Sequence, residues 1–187
     1  MKPYASARKE APGKGILLNA NEAPWSLIDS EGGLNRSPDT QPERLVKRLA
    51  RLYSVREEKV LVTRGSDEGI DLLTRVICRA GQDAKLQCPP AIGKYRIAAQ
   101  ARGARVVSVA RGAFDFSLDA QGVLDALAED VGIKLVFMTS PSNPTGDVLE
   151  DGFLVRLLER AEGRALVVVD EAYAEFTDRR SAAALVD

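Results

Sequence analysis

The sequence has 187 residues, 45% of them apolar and 28% charged, with a formal net charge of −1, enough chain for one domain with a substantial core. That balance argues against a general nucleic-acid or anionic-membrane binder, whose surface carries a basic excess. There is no histidine and no CxxC pair, which argues against a zinc site and removes the usual Ser-His and Cys-His nucleophile arrangements.

Apolar runs reach only about five residues, far short of a membrane span. The amino terminus lacks the apolar stretch of a signal peptide. Cys78 and Cys88 are therefore expected as reduced thiols of a cytoplasmic protein.

Residues 1–41 read as an N-terminal arm and loop. The first fifteen are polar and rich in Lys, Pro and Gly. Ile16-Leu17-Leu18 then runs into Asn19-Ala20-Asn21-Glu22-Ala23-Pro24-Trp25, and Gly32, Gly33 and Pro38 keep the chain in a loop. Pro42 suits the first turn of a helix, where its missing N–H costs least. Leu45, Leu49 and Leu52 follow at helical spacing.

From there the pattern alternates. Strands are expected at 59–63, 84–88, 105–110, 134–138 and 165–169. Helices are expected from the turn at 64–68 to about 79, at 94–102, from about 119 to 130, and near 150–161. Such alternation predicts a mainly parallel α/β sheet with flanking helices.

The last strand organises the rest. Its apolar, β-branched run from Ala165 to Val169 predicts burial on both faces. The run breaks into Asp170 and Glu171, with Tyr173 three residues beyond Asp170. Ligands of open α/β sheets bind at the carboxyl ends of strands, which places Asp170 at a crevice. A carboxylate there loses hydration and needs a partner; a helix cap or a salt bridge would serve as well as a ligand.

Two loops share that end of the sheet. Gly65-Ser66-Asp67-Glu68-Gly69 lies between a strand and a helix, where free amides favour an anion such as phosphate. Simple capping, with Ser66 as the N-cap, is the competing reading. In Ser140-Pro141-Ser142-Asn143-Pro144-Thr145-Gly146 two prolines restrict the backbone around Asn143, whose amide can donate to a ligand oxygen. No glycine signature of a dinucleotide or P-loop site is present.

These segments, with Leu18-Asn19-Ala20-Asn21-Glu22 and Val169-Asp170-Glu171-Ala172-Tyr173, occur in an order and spacing that resembles class II aminotransferases of the pyridoxal-phosphate fold type I. The likeness is greatest to the histidinol-phosphate aminotransferases and runs from about Ile16 to Phe176. The resemblance implies that residues 42–187 are part of the large, cofactor-binding domain. It implies pyridoxal 5'-phosphate as cofactor, held by Asp170 at the pyridinium nitrogen, by Asn143 and Tyr173 at the phenolate oxygen, and by the amides of Ser66 and Asp67 at the phosphate. Asn21 and Trp25 would lie near the substrate. The partners implied are a small amino donor and a 2-oxo acid, with histidinol phosphate and 2-oxoglutarate as the pair, and a homo-oligomer or partner chain; no nucleic acid and no membrane are expected.

The sequence also departs from that pattern. The family's Schiff-base lysine lies in a Ser-Lys motif well beyond the Asp-Glu-Ala-Tyr motif, and none of Lys2, Lys9, Lys14, Lys47, Lys59, Lys85, Lys94 and Lys134 stands in such a context. These residues alone are therefore expected to be inactive, or to form a non-catalytic, partner-associating chain with weak cofactor binding. Ile92 occupies the position of the family's stacking aromatic, and Ser37 that of a tyrosine that reaches the neighbouring subunit. Two later family strands, which separate the first strand from the other four, have no counterpart in the 187 residues. The segment at 59–63 is accordingly expected to lack neighbours and to leave unpaired edges.

Overall fold

The computed structural model describes residues 15–28 and 34–186. Most of the expected N-terminal arm (1–14), the Gly32-Gly33 portion of the loop (within 29–33) and Asp187 lie outside the described residues.

Four strands, β1 (Ala84–Gln87), β2 (Arg105–Ser108), β3 (Ile133–Thr139) and β4 (Leu166–Asp170), form one parallel sheet in the order β2-β1-β3-β4. The helices are α1 (Glu43–Tyr53), α2 (Gly65–Ile77), α3 (Gly93–Arg102), α4 (Ala120–Glu129) and α5 (Asp151–Ala161). The α/β class, the parallel pairing and the alternation all match the sequence expectation.

Side chains alternate across a strand, and β3 shows the consequence. Leu135 and Phe137 join Ile70, Cys78, Tyr95, Ala98 and Ala99 in a core beneath α2 and α3. Val136 and Met138 join Val123, Leu127, Phe153 and Leu157 in a second core beneath α4 and α5. With a helix layer on each face, β1 and β3 are almost wholly buried. The chain leaves β1 for β2 on one side and returns to β3 on the other. Between the carboxyl ends of β1 and β3 lies the topological switch point, where α/β sheets place their ligands.

Three expectations need correction. Residues 165–169 are not buried on both faces: among the described residues β4 is an edge strand that pairs with β3 alone, and Leu166 is 40% exposed. The burial expected there belongs to β3, the equally apolar strand that has neighbours on both sides. Residues 59–63 are not a sheet strand. A short 3-10 turn, Glu57–Lys59, leads into an extended segment whose Val62 bonds the Gln41 carboxamide in both directions, N–H to Oε1 at 2.7 Å and C=O from Nε2 at 2.8 Å. Ser66 is not an N-cap either. The cap is Arg64, Gly65 opens α2 at φ +70°, and the Glu68 carboxylate reaches back to the Arg64 N–H at 2.6 Å.

Pro42 does stand at the start of a helix, as the residue preceding α1. Asp119 caps α4 by accepting the Gly122 N–H at 2.8 Å.

Candidate functional site

Asp170 ends β4 and is 9% exposed. Its register partner on β3 is Thr139, so both side chains rise from the same face at the carboxyl end of the sheet. One carboxylate oxygen accepts the Tyr95 phenol at 2.6 Å, and the other accepts the Ala172 N–H at 3.1 Å. Among the described residues no lysine or arginine pairs with it. A buried carboxylate held by neutral donors alone still has lone pairs to give, and a cation is what it lacks. A protonated pyridine nitrogen suits such a carboxylate in charge and in hydrogen-bonding sense.

Tyr95 was not singled out by the sequence as a site residue. It lies three residues beyond Ile92, the residue that precedes α3, and is 1% exposed. Its ring stacks on Phe137 with centroids 4.6 Å apart. Burial, and then the hydrogen bond to the Asp170 carboxylate, push its ionisation well above the ordinary phenol range. A helical count from Gly93 is the signal that could have found it, since Tyr95, Ala98 and Ala99 lie on one stripe.

The start of α2 approaches through α3. Lys94, next to Tyr95, forms an ion pair with Asp67 at 3.2 Å, so the Ser66-Asp67 turn and Asp170 hang from adjacent residues of one helix. Ser66 and Asp67 are exposed in the first turn of α2, where unsatisfied amides suit an anion. On the far side, Asn143 Nδ2 donates to the Tyr173 hydroxyl at 3.2 Å, joining the proline-bounded loop to the turn after β4. In that loop the Ser140–Pro141 and Asn143–Pro144 peptide bonds are cis. Asp67, Asn143, Asp170 and Tyr173 thus belong to one connected end of the sheet.

Asn21 and Trp25 sit elsewhere in the bonding pattern. Both are exposed, Trp25 at 69%. Their segment pairs with residues 35–37: Asn35 Nδ2 donates to the Ala23 carbonyl at 2.9 Å, and Glu22 accepts the Arg36 guanidinium at 3.2 Å and the Ser37 N–H at 2.8 Å. Ile92 is half-buried and packs against the core beneath α3.

Three of the lysines within the described residues have a polar partner. Lys47 pairs with Glu43, Lys94 with Asp67, and Lys59 donates to the Val186 carbonyl. Lys85 is fully buried, and burial lowers its ammonium to about 8. Both cysteines are free and buried, and burial pushes Cys88 up to about 12, a poor nucleophile. Among the described residues no group of side chains could hold a metal ion, and no helix is long and apolar enough to cross a membrane.

Comparison with known proteins gives a consistent result. The profile of the family described as aminotransferase class I and II matches residues 6–186. The histidinol-phosphate aminotransferase of Cronobacter sakazakii is 44% identical over 179 residues, covering 93% of this chain and 48% of the relative. That of Aeromonas hydrophila is 45% identical over 183 residues, covering 96% and 50%. The chain spans about half the length of these curated relatives. Among solved structures, the histidinol-phosphate aminotransferase of Clostridium acetobutylicum superposes with a TM-score of 0.69 at 21% identity, over 80% of this chain and 43% of that one. The Sinorhizobium meliloti enzyme in complex with pyridoxal-5'-phosphate gives 0.67 at 24%, over 74% and 36%. At these identities the likeness to the solved structures is one of fold.

Proposed function

The chain belongs to the aminotransferase class I and II family, and we propose that it forms the cofactor-cradling part of an enzyme that moves an amino group between histidinol phosphate and 2-oxoglutarate. The observation that carries this reading is the buried Asp170 carboxylate at the carboxyl end of the sheet, which among the described residues has neutral donors and no cationic partner. Identities of 44% and 45% to histidinol-phosphate aminotransferases support the choice of substrate pair.

Pyridoxal 5'-phosphate, when bound, supplies the electron sink that an amino-group transfer needs. Asp170 keeps a proton on the ring nitrogen, because a carboxylate held away from water favours a cationic partner. Asn143 and Tyr173, already bonded to each other, turn donors toward the phenolate oxygen. The Ser66 and Asp67 amides take the phosphate at the start of α2, with Lys94 offsetting the Asp67 charge. Ile92 covers a ring face by apolar contact, without the stacking an aromatic gives. Asn21 and Trp25 belong to the substrate side. In domain terms, the segment from residue 42 onward is read as part of the large domain.

No lysine of the sequence stands in the Ser-Lys context of the family's imine lysine, so these residues are read as binding the cofactor without turning over substrate. The buried, unbridged thiols suit a cytoplasmic setting. A second reading, a non-catalytic chain that works by associating with a partner or with itself, is favoured by one observation. Among the described residues no strand pairs with the outer edge of β4, and an open edge invites association.

Titration with pyridoxal phosphate, followed by borohydride reduction and peptide mapping, tests the first reading. Saturable binding that Asp170→Asn weakens at least about tenfold, without a single labelled lysine, is expected. Equal binding by the variant would sink the assigned role of Asp170. One stoichiometric lysine adduct would overturn the statement that the chain is inactive alone. For the second reading, a monomer at all concentrations by light scattering would remove its support.

A further inference from the structure

We propose that Tyr95 is a positioning residue that fixes how the Asp170 carboxylate meets a protonated ring nitrogen. The proposal rests on the cofactor reading above. Tyr95 reaches the carboxylate from α3, while Asp170 itself comes from β4 and Thr139 from β3. The phenol oxygen lies 2.6 Å from Asp170 Oδ2 and 3.0 Å from Thr139 Oγ1. A phenol has one proton, and a carboxylate can only accept. The shorter, charge-assisted contact takes that proton, so the Thr139 hydroxyl donates to the Tyr95 oxygen. The chain of donors runs one way, from Thr139 through Tyr95 to Asp170.

Fixation is complete at both ends of the carboxylate, because Oδ1 accepts the Ala172 N–H at 3.1 Å. The group cannot rotate without breaking a bond on one side. A ring nitrogen arriving at Asp170 meets an acceptor whose orientation is already settled, which lowers the ordering cost of that contact. The phenol also remains a donor throughout the working range, since burial and the neighbouring negative charge both oppose its ionisation. Packing alone would not require the hydroxyl. The stack on Phe137 and the contacts with Ala98 and Ala99 would serve phenylalanine equally well.

That difference sets the experiment. The full chain, as wild type, Tyr95→Phe, Thr139→Val and Asp170→Asn, is titrated with pyridoxal phosphate labelled with 15N in the ring. Affinity is read by fluorescence, ring-nitrogen protonation by the 15N shift, and folding by the melting curve. Tyr95→Phe is expected to keep the fold, to weaken binding by roughly fivefold, the equivalent of one lost hydrogen bond, and to move the nitrogen signal away from its protonated position. Thr139→Val is expected to move that signal the same way by less, which keeps the proposal testable if Tyr95→Phe folds poorly. Wild-type affinity and nitrogen signal in both variants, with both readouts lost in Asp170→Asn, would overturn the positioning role and leave the cofactor reading standing. If Asp170→Asn binds as wild type does, the cofactor reading fails and the inference with it.

Discussion

The Lys85 ammonium nitrogen lies 4.9 Å from the centroid of the Phe137 ring, inside the core, with no hydrogen-bond partner. The Tyr95 ring is its second aromatic neighbour, at 5.5 Å. Contacts between a cation and ring faces recover part of the lost hydration, but desolvation still dominates and takes the ammonium from the ordinary 10.5 to about 8.

Lys85 is therefore a stability defect at neutral pH. A lysine lowered by folding favours the native state only while neutral, so stability falls as pH drops from 10.5 through about 8 and is level below that. The displacement is worth about 3 kcal/mol at pH 7. Lys85→Met should raise the melting temperature at pH 7 by roughly 6–12 °C, with the gain shrinking toward pH 10. A variant no more stable than wild type at pH 7 would show that the amine is solvated in solution.

The segment after the Glu57–Lys59 turn depends on one side chain. The Gln41 carboxamide meets both polar groups of the Val62 backbone, doing for one residue what a neighbouring strand does for many. Gln41→Leu leaves that N–H and C=O without their partner and should cost about 1–2 kcal/mol. Amide exchange at Val62 should accelerate at the same time, while exchange at Val136 in the sheet centre follows global stability only. Unchanged protection of Val62 would mean that the segment has another partner in solution.

How far the sequence could be read follows from which forces are local. Helix starts at Pro42 and Asp119 and the strand periodicity of β1–β4 come from neighbouring residues, and they were legible. So were the positions of Asp170 at a strand end and of Asn143 in a loop restrained by proline. Burial of β4 was not legible, since Ala165–Val169 is as apolar as β3 and only the strand order distinguishes an edge from a centre. The segment at 59–63 lies outside the sheet, as the missing later strands implied; that it is not a strand at all was not legible, because its β-branched residues suit a ladder. Helical spacing could mark Tyr95 as buried, but its bonds to Thr139 and Asp170 are tertiary contacts between α3 and the ends of β3 and β4, with no sequence spacing of their own. Lys85 is a polar residue in an otherwise apolar strand, and sequence pattern favours the opposite environment.

Acid stability should carry the mark of Asp83. The Arg79 guanidinium and backbone N–H both donate to its carboxylate and hold it at about 2, below the ordinary 3.8. A carboxylate depressed by folding contributes stability that is fully present above 3.8 and is lost as pH falls toward 2. Asp83→Asn should lower the melting temperature at pH 6 and flatten the decline between pH 4 and 2. A variant with the wild-type slope across that window would place the acid transition on other carboxylates.

The loop that presents Asn143 is held from outside by Arg111. This side chain is 3% exposed and bonds Asp147 at 2.6 Å and the Phe116 carbonyl at 3.1 Å. Asp147 in turn accepts the Thr145 hydroxyl, and its carbonyl accepts the Ser142 N–H at 2.8 Å. The guanidinium thus ties the loop between β2 and α4 to both sides of Asn143. Removing it frees Asp147 at the half-exposed end of the pair, so the cost should be nearer a charged hydrogen bond than a fully buried ion pair, about 2 kcal/mol. Arg111→Met should also speed amide exchange at Ser142 and Gly146 beyond what the global loss explains, and it should weaken pyridoxal phosphate binding by loosening Asn143. Asp147→Asn in the same background should add little, because the two residues act as one unit. Additive losses in the double variant, with loop exchange unchanged in each, would show that Arg111 stabilises the core without steering the loop.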